Sequence, residues 1–339
     1  MSYIRKYKKI LVYHVGSIGD TVVALPAFKT LKHNLQKDMD LLNLSVVRNM
    51  IHTDLYKNDN IFNKKIFLKP PENFIGKIFL YWQFLKICLF GKYSELYCFS
   101  PEVPKVLALF FKFFCYGNIK HCFSGIGKMD NIPIWMDYLK NLESFGVSEV
   151  PEDAFKFDLS DENIENAESI VHKCNKKLVA FGIGGNTNVS QWGIENYSRL
   201  LKILLEKYDF IPVYTGGAND RINAEKLMIE YGGFFLGDTN CRSLSSTVAF
   251  MKHCQCYIGN DCGSAHLAAA ANIPCAVIMS AHNLPEKMWY PFGEKNIIIR
   301  NNIECAGCHR RICPKRTPAP CIKNILVEEV VAKINNLFQ

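Results

Sequence analysis

No stretch of the sequence reaches the roughly 20 consecutive apolar residues that a membrane-spanning helix needs. The two greasiest segments, 74–90 and 106–116, are broken by Lys77, Lys86 and Lys112. Both read as helices packed on a sheet, with a membrane-facing surface as the alternative. A secretory signal is also missing, because residues 1–9 lead straight into the short apolar run 10–15 without a small-residue cleavage site. A cytoplasmic protein is therefore expected, with peripheral attachment at the inner face of the cytoplasmic membrane as a variant. There is no internal repeat and no low-complexity tract. With 49% hydrophobic and 21% charged residues the composition is that of a soluble globular chain, not a disordered or fibrous one. Fourteen cysteines in such a chain point to reduced thiols, some of them metal-bound, rather than to a disulfide framework.

An acidic surplus is lacking too. The formal charge is +8; residues 1–150 hold 20 Lys and Arg against 12 Asp and Glu, while residues 151–339 hold 20 against 20. All the excess lies in the first half, which points to an anionic counterpart there: a phosphorylated glycolipid, a membrane surface or nucleic acid. The plainer reading is a solvated lysine-rich surface. Because the basic residues are dispersed and form no recognisable DNA- or RNA-binding module, nucleic acid is not an expected partner.

At 339 residues the chain exceeds one typical domain of roughly 100 to 200 residues. Short apolar runs at 10–15, 42–47, 65–68 and 95–99 alternate with helical patterns at 21–35, 73–90 and 103–114. That is the grammar of βαβ units. An acidic, proline-containing stretch at 146–161 reads as a linker. Beyond it a second series has strands at 178–183, 210–214, 256–258 and 275–279 and helices at 197–207, 218–231 and 265–271. Two doubly wound α/β domains are predicted, 1–158 and 159–322, with a last helix in 323–339 packing back across them. A ligand is expected in the cleft between the domains, since open α/β sheets bind at the carboxyl ends of their strands.

Four glycine turns fall at such strand ends. In Gly16-Ser17-Ile18-Gly19-Asp20, the residues Gly16, Ser17 and Gly19 permit close backbone approach, and the helix N-terminus behind them favours an anion. A structural turn with Asp20 as the helix's N-terminal carboxylate explains the pattern equally well. The missing third glycine disfavours a nicotinamide enzyme. The turn Asn260-Asp261-Cys262-Gly263 leads into a small-residue helix, where backbone N–H groups, the helix dipole and His266 would cradle a diphosphate. A lone helical histidine is more usually a satisfied core or surface residue. Gly182-Ile183-Gly184-Gly185-Asn186, followed by Ser190-Gln191-Trp192, is a third turn, with Trp192 read as a core anchor. In Thr215-Gly216-Gly217-Ala218-Asn219-Asp220, either Asn219 or Asp220 meets a ribose hydroxyl or simply caps the next helix.

In this order and spacing the four stretches resemble glycosyltransferase family 9, the heptosyltransferases of lipopolysaccharide core assembly, over nearly the whole chain. The strongest parts are residues 10–31, where Gly-Ser-Ile-Gly-Asp leads into Ala24-Leu25-Pro26-Ala27, and 258–274, where Gly-Asn-Asp-x-Gly leads through His266 to Ile273-Pro274. The resemblance implies a GT-B fold of two Rossmann-like domains, the first binding acceptor and the second nucleotide sugar. It also implies inversion without a required cofactor or metal, commonly with ADP-heptose as donor. Asp20 matches the family's proposed catalytic base; Asp261, Gly263 and His266 match its donor loop. One departure concerns donor phosphate: two positions before the tryptophan, where the family usually has a basic residue, this chain has Ser190.

Cys305, Cys308, Cys313 and Cys321 lie within 17 residues. Four thiolates can close a tetrahedral zinc or iron site, although the later intervals are not a standard ribbon and reduced loop cysteines are the plainer reading. The expected reaction is a single displacement. Asp20 takes the proton of an acceptor hydroxyl on a lipopolysaccharide core or related glycolipid, and the nucleotide diphosphate leaves from the opposite face. The alternatives are a nucleotide-sugar epimerase of the same architecture and a catalytically silent nucleotide-binding protein.

Overall fold

A computed structural model describes residues 8–35, 39–47, 54–56, 60–125, 128–185, 187–314 and 319–338. The chain divides into two compact units, Met1–Asp130 with Ile134–Phe155, and Asn131–Pro133 with Lys156–Gln339.

The first unit runs β1 (Lys8–Gly16), α1 (Ile18–Leu35), β2 (Met39–Val47), β3 (Lys64–Leu68), α2 (Phe74–Gly91), β4 (Glu95–Cys98), α3 (Lys105–Phe110) continuing into a π-helical turn (Phe111–Cys115), β5 (Asn118–His121) and α4 (Ile134–Ser144). Its parallel sheet has the order β3-β2-β1-β4-β5. The order reverses between β1 and β4, and the Gly16 turn leaves the sheet at that reversal. Every residue of α1 from Thr21 to Leu31 is buried, and apart from Thr21, Lys29 and Thr30 the span is apolar, as suits a core helix. The Phe28 ring meets His14, Phe62 and Phe99 edge to face at 5.5, 5.3 and 5.0 Å. Lys29, also buried, pairs with Asp153 at 2.8 Å, and its bond holds that carboxyl below the ordinary range.

α2 departs from expectation. Leu80, Phe84, Ile87 and Cys88 face the core at helical spacing, as a helix packed on a sheet should. Yet of its 18 residues only Phe84 and Cys88 are buried, and the outward face is equally apolar. By length and composition the helix is also apolar enough to cross a membrane, despite Lys77 and Lys86.

The second unit runs α5 (Asp161–Val171), β6 (Lys177–Gly182), α6 (Ile194–Lys207), β7 (Phe210–Thr215), a 3-10 turn (Ala218–Asp220), α7 (Arg221–Tyr231), β8 (Phe234–Phe235), α8 (Leu244–Met251), β9 (Cys254–Asn260), α9 (Gly263–Ala270), β10 (Cys275–Met279), β11 (Ile297–Arg300), α10 (Pro320–Lys323) and α11 (Val327–Ile334). All its strands are parallel, in the order β11-β10-β9-β6-β7-β8. β10 is buried throughout and β6 at all but its first residue, the continuous burial of a parallel sheet covered on both faces. Ser160 and Asn163 close a capping box at the start of α5. α6 buries Tyr197, Leu200, Leu201 and Leu204, and the C-terminal α11, expected to pack back across the domains, packs on α6 and β11 of its own unit.

Candidate functional site

In the second unit β7, β6 and β9 are consecutive neighbours, so the turns that follow them emerge side by side at one edge of the sheet. Strand order reverses between β6 and β9, where open α/β sheets place their ligands. The turn after β6 holds Gly184 and Gly185; Asn186 lies outside the described residues. Gly184 lets the Asp220 carboxylate approach closely, and a Cβ there would push that side chain aside. Asp220 accepts the Gly217 N–H at 2.7 Å. Burial nevertheless raises its carboxyl pKa, outweighing that bond. Asn219 stands exposed beside it.

Asn260, expected on the donor, has another task. Its side chain is fully buried. The amide oxygen accepts the Trp192 N–H at 3.2 Å and lies 3.0 Å from the Tyr197 hydroxyl, while the amide nitrogen donates to Ile183 O at 3.2 Å and Gly184 O at 2.9 Å. Every hydrogen-bonding position of the amide is engaged within the fold, so Asn260 corrects to a clamp joining the β6 and β9 turns. Trp192 is the expected anchor: fully buried, edge-on to Tyr197 at 5.2 Å, and bonded through Nε1 to Ile325 O at 2.8 Å. Ser190 turns its hydroxyl onto Thr187 Oγ1 at 2.8 Å, and Gln191 donates to Gly185 O at 2.8 Å. The Ser190 position thus braces the loop internally.

Asp261 and Gly263 open α9, whose N-cap is Cys262, without a side-chain capping bond. The Ala265 N–H bonds the Cys262 carbonyl at 3.0 Å, while no N-cap side chain engages the turn, and such a helix start is suited to receive an anion. His266 sits in the first turn as well, but at 3% exposure. Its side chain is thus enclosed by the fold rather than presented at the mouth of the turn.

Arg300 and His282 are absent from the motifs and enter through the fold. Arg300, at the end of β11, donates to Asn283 O at 3.0 Å and Glu286 O at 3.3 Å, and its charge reaches Asp261. Burial prevails there and pushes the Asp261 carboxyl from 3.8 up to about 7, against the pull of Arg300. Burial, followed by His309 and Arg300, lowers His282 to about 4.

The raised carboxyl gives a stability prediction. An acid whose folded pKa exceeds its unfolded value costs nothing while protonated in both states, so stability falls as pH rises from about 4 through about 7. Asp261→Asn should remove that slope. In urea denaturation the variant is expected to match the parent near pH 4 and to exceed it at pH 8; parallel profiles would show that Asp261 does not titrate in this window.

In the first unit Asp20 lies in the opening turn of α1. Its Oδ2 accepts the Ser17 N–H at 2.5 Å and the Ser17 hydroxyl at 2.7 Å. Gly16 lies so close that a Cβ there would strike the Asp20 side chain. Among the described residues Oδ1 has no hydrogen-bond partner. The buried Tyr138 phenol donates to Phe99 O at 3.0 Å, and its pKa is raised well above the ordinary value by burial and then by the Asp20 charge. Gly19 is buried and Ser17 exposed, so this turn combines a helix cap with a carboxylate oxygen left available.

The four late cysteines line one cavity of about 470 Å³ together with Ala281, His282 and Glu304. The Cys321 thiol is raised chiefly by burial and also feels Cys305, Cys313 and Cys308. Among the described residues no three His, Cys, Asp or Glu side chains stand close enough to hold one ion.

The model of glycosyltransferase family 9 (heptosyltransferase) matches residues 137–317. Lipooligosaccharide heptosyltransferase 2 of Haemophilus ducreyi is 25% identical over 183 residues, covering 52% of this chain and 48% of that protein, so the chain spans about half the length of the curated relative it matches. Among solved structures, the family 9 glycosyltransferase of Veillonella parvula superposes with a TM-score of 0.76 at 15% identity, covering 98% of both chains. The ADP-heptose lipopolysaccharide heptosyltransferase II of E. coli gives 0.70 at 16% identity over 97% of this chain and 98% of that one. The iron-containing dodecameric glycosyltransferase TibC of enterotoxigenic E. coli gives 0.57 at 16%, over 98% of this chain and 76% of that one. These likenesses establish the expected GT-B class of fold.

Proposed function

Because the chain belongs to glycosyltransferase family 9, we propose that it transfers a heptose from ADP-heptose to the core of a lipopolysaccharide or a related surface glycan, with inversion at the anomeric carbon. The observation that carries the reading is the paired turns after β6 and β9, which flank the strand-order reversal of the second unit and present the start of α9. A diphosphate is the chemistry that such N–H groups receive. Gly184, Gly185, Asp220, Asp261 and Gly263 would line the donor; Ser190 bonds within its own loop instead of supplying a cation.

In this reading Asp20 removes the proton of the acceptor hydroxyl as it attacks, and the nucleotide diphosphate departs as its charge settles on the first-turn N–H groups of α9. No divalent ion is assigned a step, and an enzyme that EDTA stops without lowering its melting temperature would overturn that part. The reaction would take place in the cytoplasm, a reducing compartment suited to fourteen free thiols. The experiment is incubation with a panel of nucleotide sugars and truncated lipopolysaccharide acceptors, read by mass spectrometry. Heptose addition is expected. Donor turnover without acceptor would point to an epimerase, and nucleotide binding without turnover to a silent binding protein.

A structural zinc or iron at the four cysteines is part of the same proposal. Four thiols around one cavity are a suitable donor set, although the 305–321 loop must tighten to bring three of them onto one ion. Elemental analysis of purified protein is expected to find close to one zinc or iron per chain, and chelation to lower the melting temperature. Metal-free protein with an unchanged melting curve would leave these cysteines as loop residues.

A further inference from the structure

On the proposed reading the turns after β6, β7 and β9 receive a nucleotide diphosphate, yet they are short of positive charge. Residues 182–186, 190–191, 215–220 and 260–264 contain no Lys or Arg, while Asp220 and Asp261 are among them. The start of α9 adds its N–H groups and about half a charge from the helix dipole. Arg221, next along from Asp220, is drawn off to Glu225 at 3.1 Å and Asp238 at 3.4 Å. Arg310 and Arg311 lie exposed on the cysteine loop, where solvent and salt screen them. A polyanion in these turns therefore needs a counter-charge from elsewhere in the fold.

β11 carries one. Ile278 of β10 pairs with Asn260 on one side and with Ile299 on the other. Asp261 and Arg300 follow at the same level of the sheet, two strands or roughly 10 Å apart. The Asp261 N–H fixes that level by donating to Ile278 O at 3.0 Å. Arg300 is half-buried, its Nη groups are held by Asn283 O and Glu286 O, and its Nε is buried with no hydrogen-bond partner. Among the described residues the guanidinium forms no ion pair. Such a cation is costly to keep unless an anion answers it. Its field extends over the donor turn: after burial and His309 it lowers His282, and it opposes the rise that burial causes at Asp261.

We propose that Arg300 supplies the counter-charge for the donor's diphosphate. It acts through its field across the ends of β9, β10 and β11, while its Nη groups stay on the two carbonyls and hold the loop after β10.

Titration calorimetry on the full chain with ADP, inorganic pyrophosphate and adenosine tests this without any sugar transfer. Arg300→Gln should weaken ADP and pyrophosphate by about ten-fold or more, the effect of one charge at roughly 10 Å with an effective dielectric constant of about 20, and should leave adenosine unchanged. Arg300→Lys keeps the charge without the planar fork, so it should melt lower than the parent yet bind ADP within about three-fold of it. Adding Ser190→Lys to Arg300→Gln returns a cation to the turn after β6 and should recover most of the lost affinity. Parental ADP affinity in Arg300→Gln, a loss that neither lysine restores, or an equal loss for adenosine would overturn the proposal. If the Gln variant does not fold, the Lys variant decides alone: lost ADP affinity overturns the proposal, and retained affinity at a lowered melting temperature supports it. Sugar transfer with unaltered diphosphate affinity in Arg300→Gln would sink the inference and leave the transferase standing. Arg300-dependent pyrophosphate binding in a chain that transfers no sugar would do the reverse. A parent that binds neither ADP nor pyrophosphate would also overturn it.

Discussion

Sugar transfer by the Asp20→Asn variant is expected to fall by about 10² to 10⁴, with nucleotide-sugar binding nearly unchanged. The geometry separates the two roles open to this side chain. Oδ2 takes both Ser17 bonds, and an asparagine carbonyl oxygen accepts the same pair. The helix cap therefore survives, within about 1 kcal/mol. What changes is the other position, from a carboxylate oxygen able to take a proton to an amide that only donates. Turnover and melting are measured on the same preparation. A parent-like rate with a parent-like melting curve would reduce Asp20 to a cap. The search would then have to pass over Asp137, whose oxygens are held by the Ser124 N–H at 2.9 Å and the Ser124 hydroxyl at 2.6 Å.

The strands that frame the site were legible because parallel strands covered on both faces are apolar runs, with glycine at or just after the ends of β1, β6 and β7. β1, β6, β7 and β10 all fall within a residue or two of their sequence positions. β5, Asn118–His121, and β8, Phe234–Phe235, give no such signal; they are edge strands formed by pairing with β4 and β7. β11 is apolar but only four residues long. Leaving it unread also hid Arg300, whose charge matters only because the sheet carries it towards Asp261.

The motifs located the turns but not the direction of their side chains. A polar residue at a strand-to-helix junction commonly faces a ligand, and nothing near Asn260 in sequence reveals that Trp192, Ile183 and Gly184 surround it. The contact between Gly184 and Asp220 is equally remote along the chain. α2 shows the converse limit: its pattern identifies a helix, but hydropathy that runs around the whole circumference cannot tell which side the sheet will cover. The cysteine spacing likewise announced a cluster, whereas the cavity that gathers it depends on Ala281 and His282 after β10.

Replacing Asn260 by Leu is expected to lower the melting temperature of the second unit by about 10 °C or more and, with it, donor affinity. The two side chains are similar in size, so the loss is one of hydrogen bonding and not of volume. The Trp192 N–H and the carbonyls of Ile183 and Gly184 would be left without the partners they have now. Tyr197 suffers less, because its hydroxyl also lies 2.9 Å from Gly182 O. A buried polar group left unsatisfied costs about 1 to 3 kcal/mol. Three such groups amount to several kcal/mol even if water reaches one of them, and each kcal/mol shifts melting by about 2 to 4 °C in a domain of this size. Asn260→Asp offers a second reading: it can still accept from Trp192 but cannot donate to the two carbonyls while ionised, so it should also be destabilising. The competing role, direct contact with the nucleotide sugar, makes the opposite forecast. A Leu variant that melts like the parent but no longer binds donor would return Asn260 to the ligand and leave the joining of the β6 and β9 turns to other contacts.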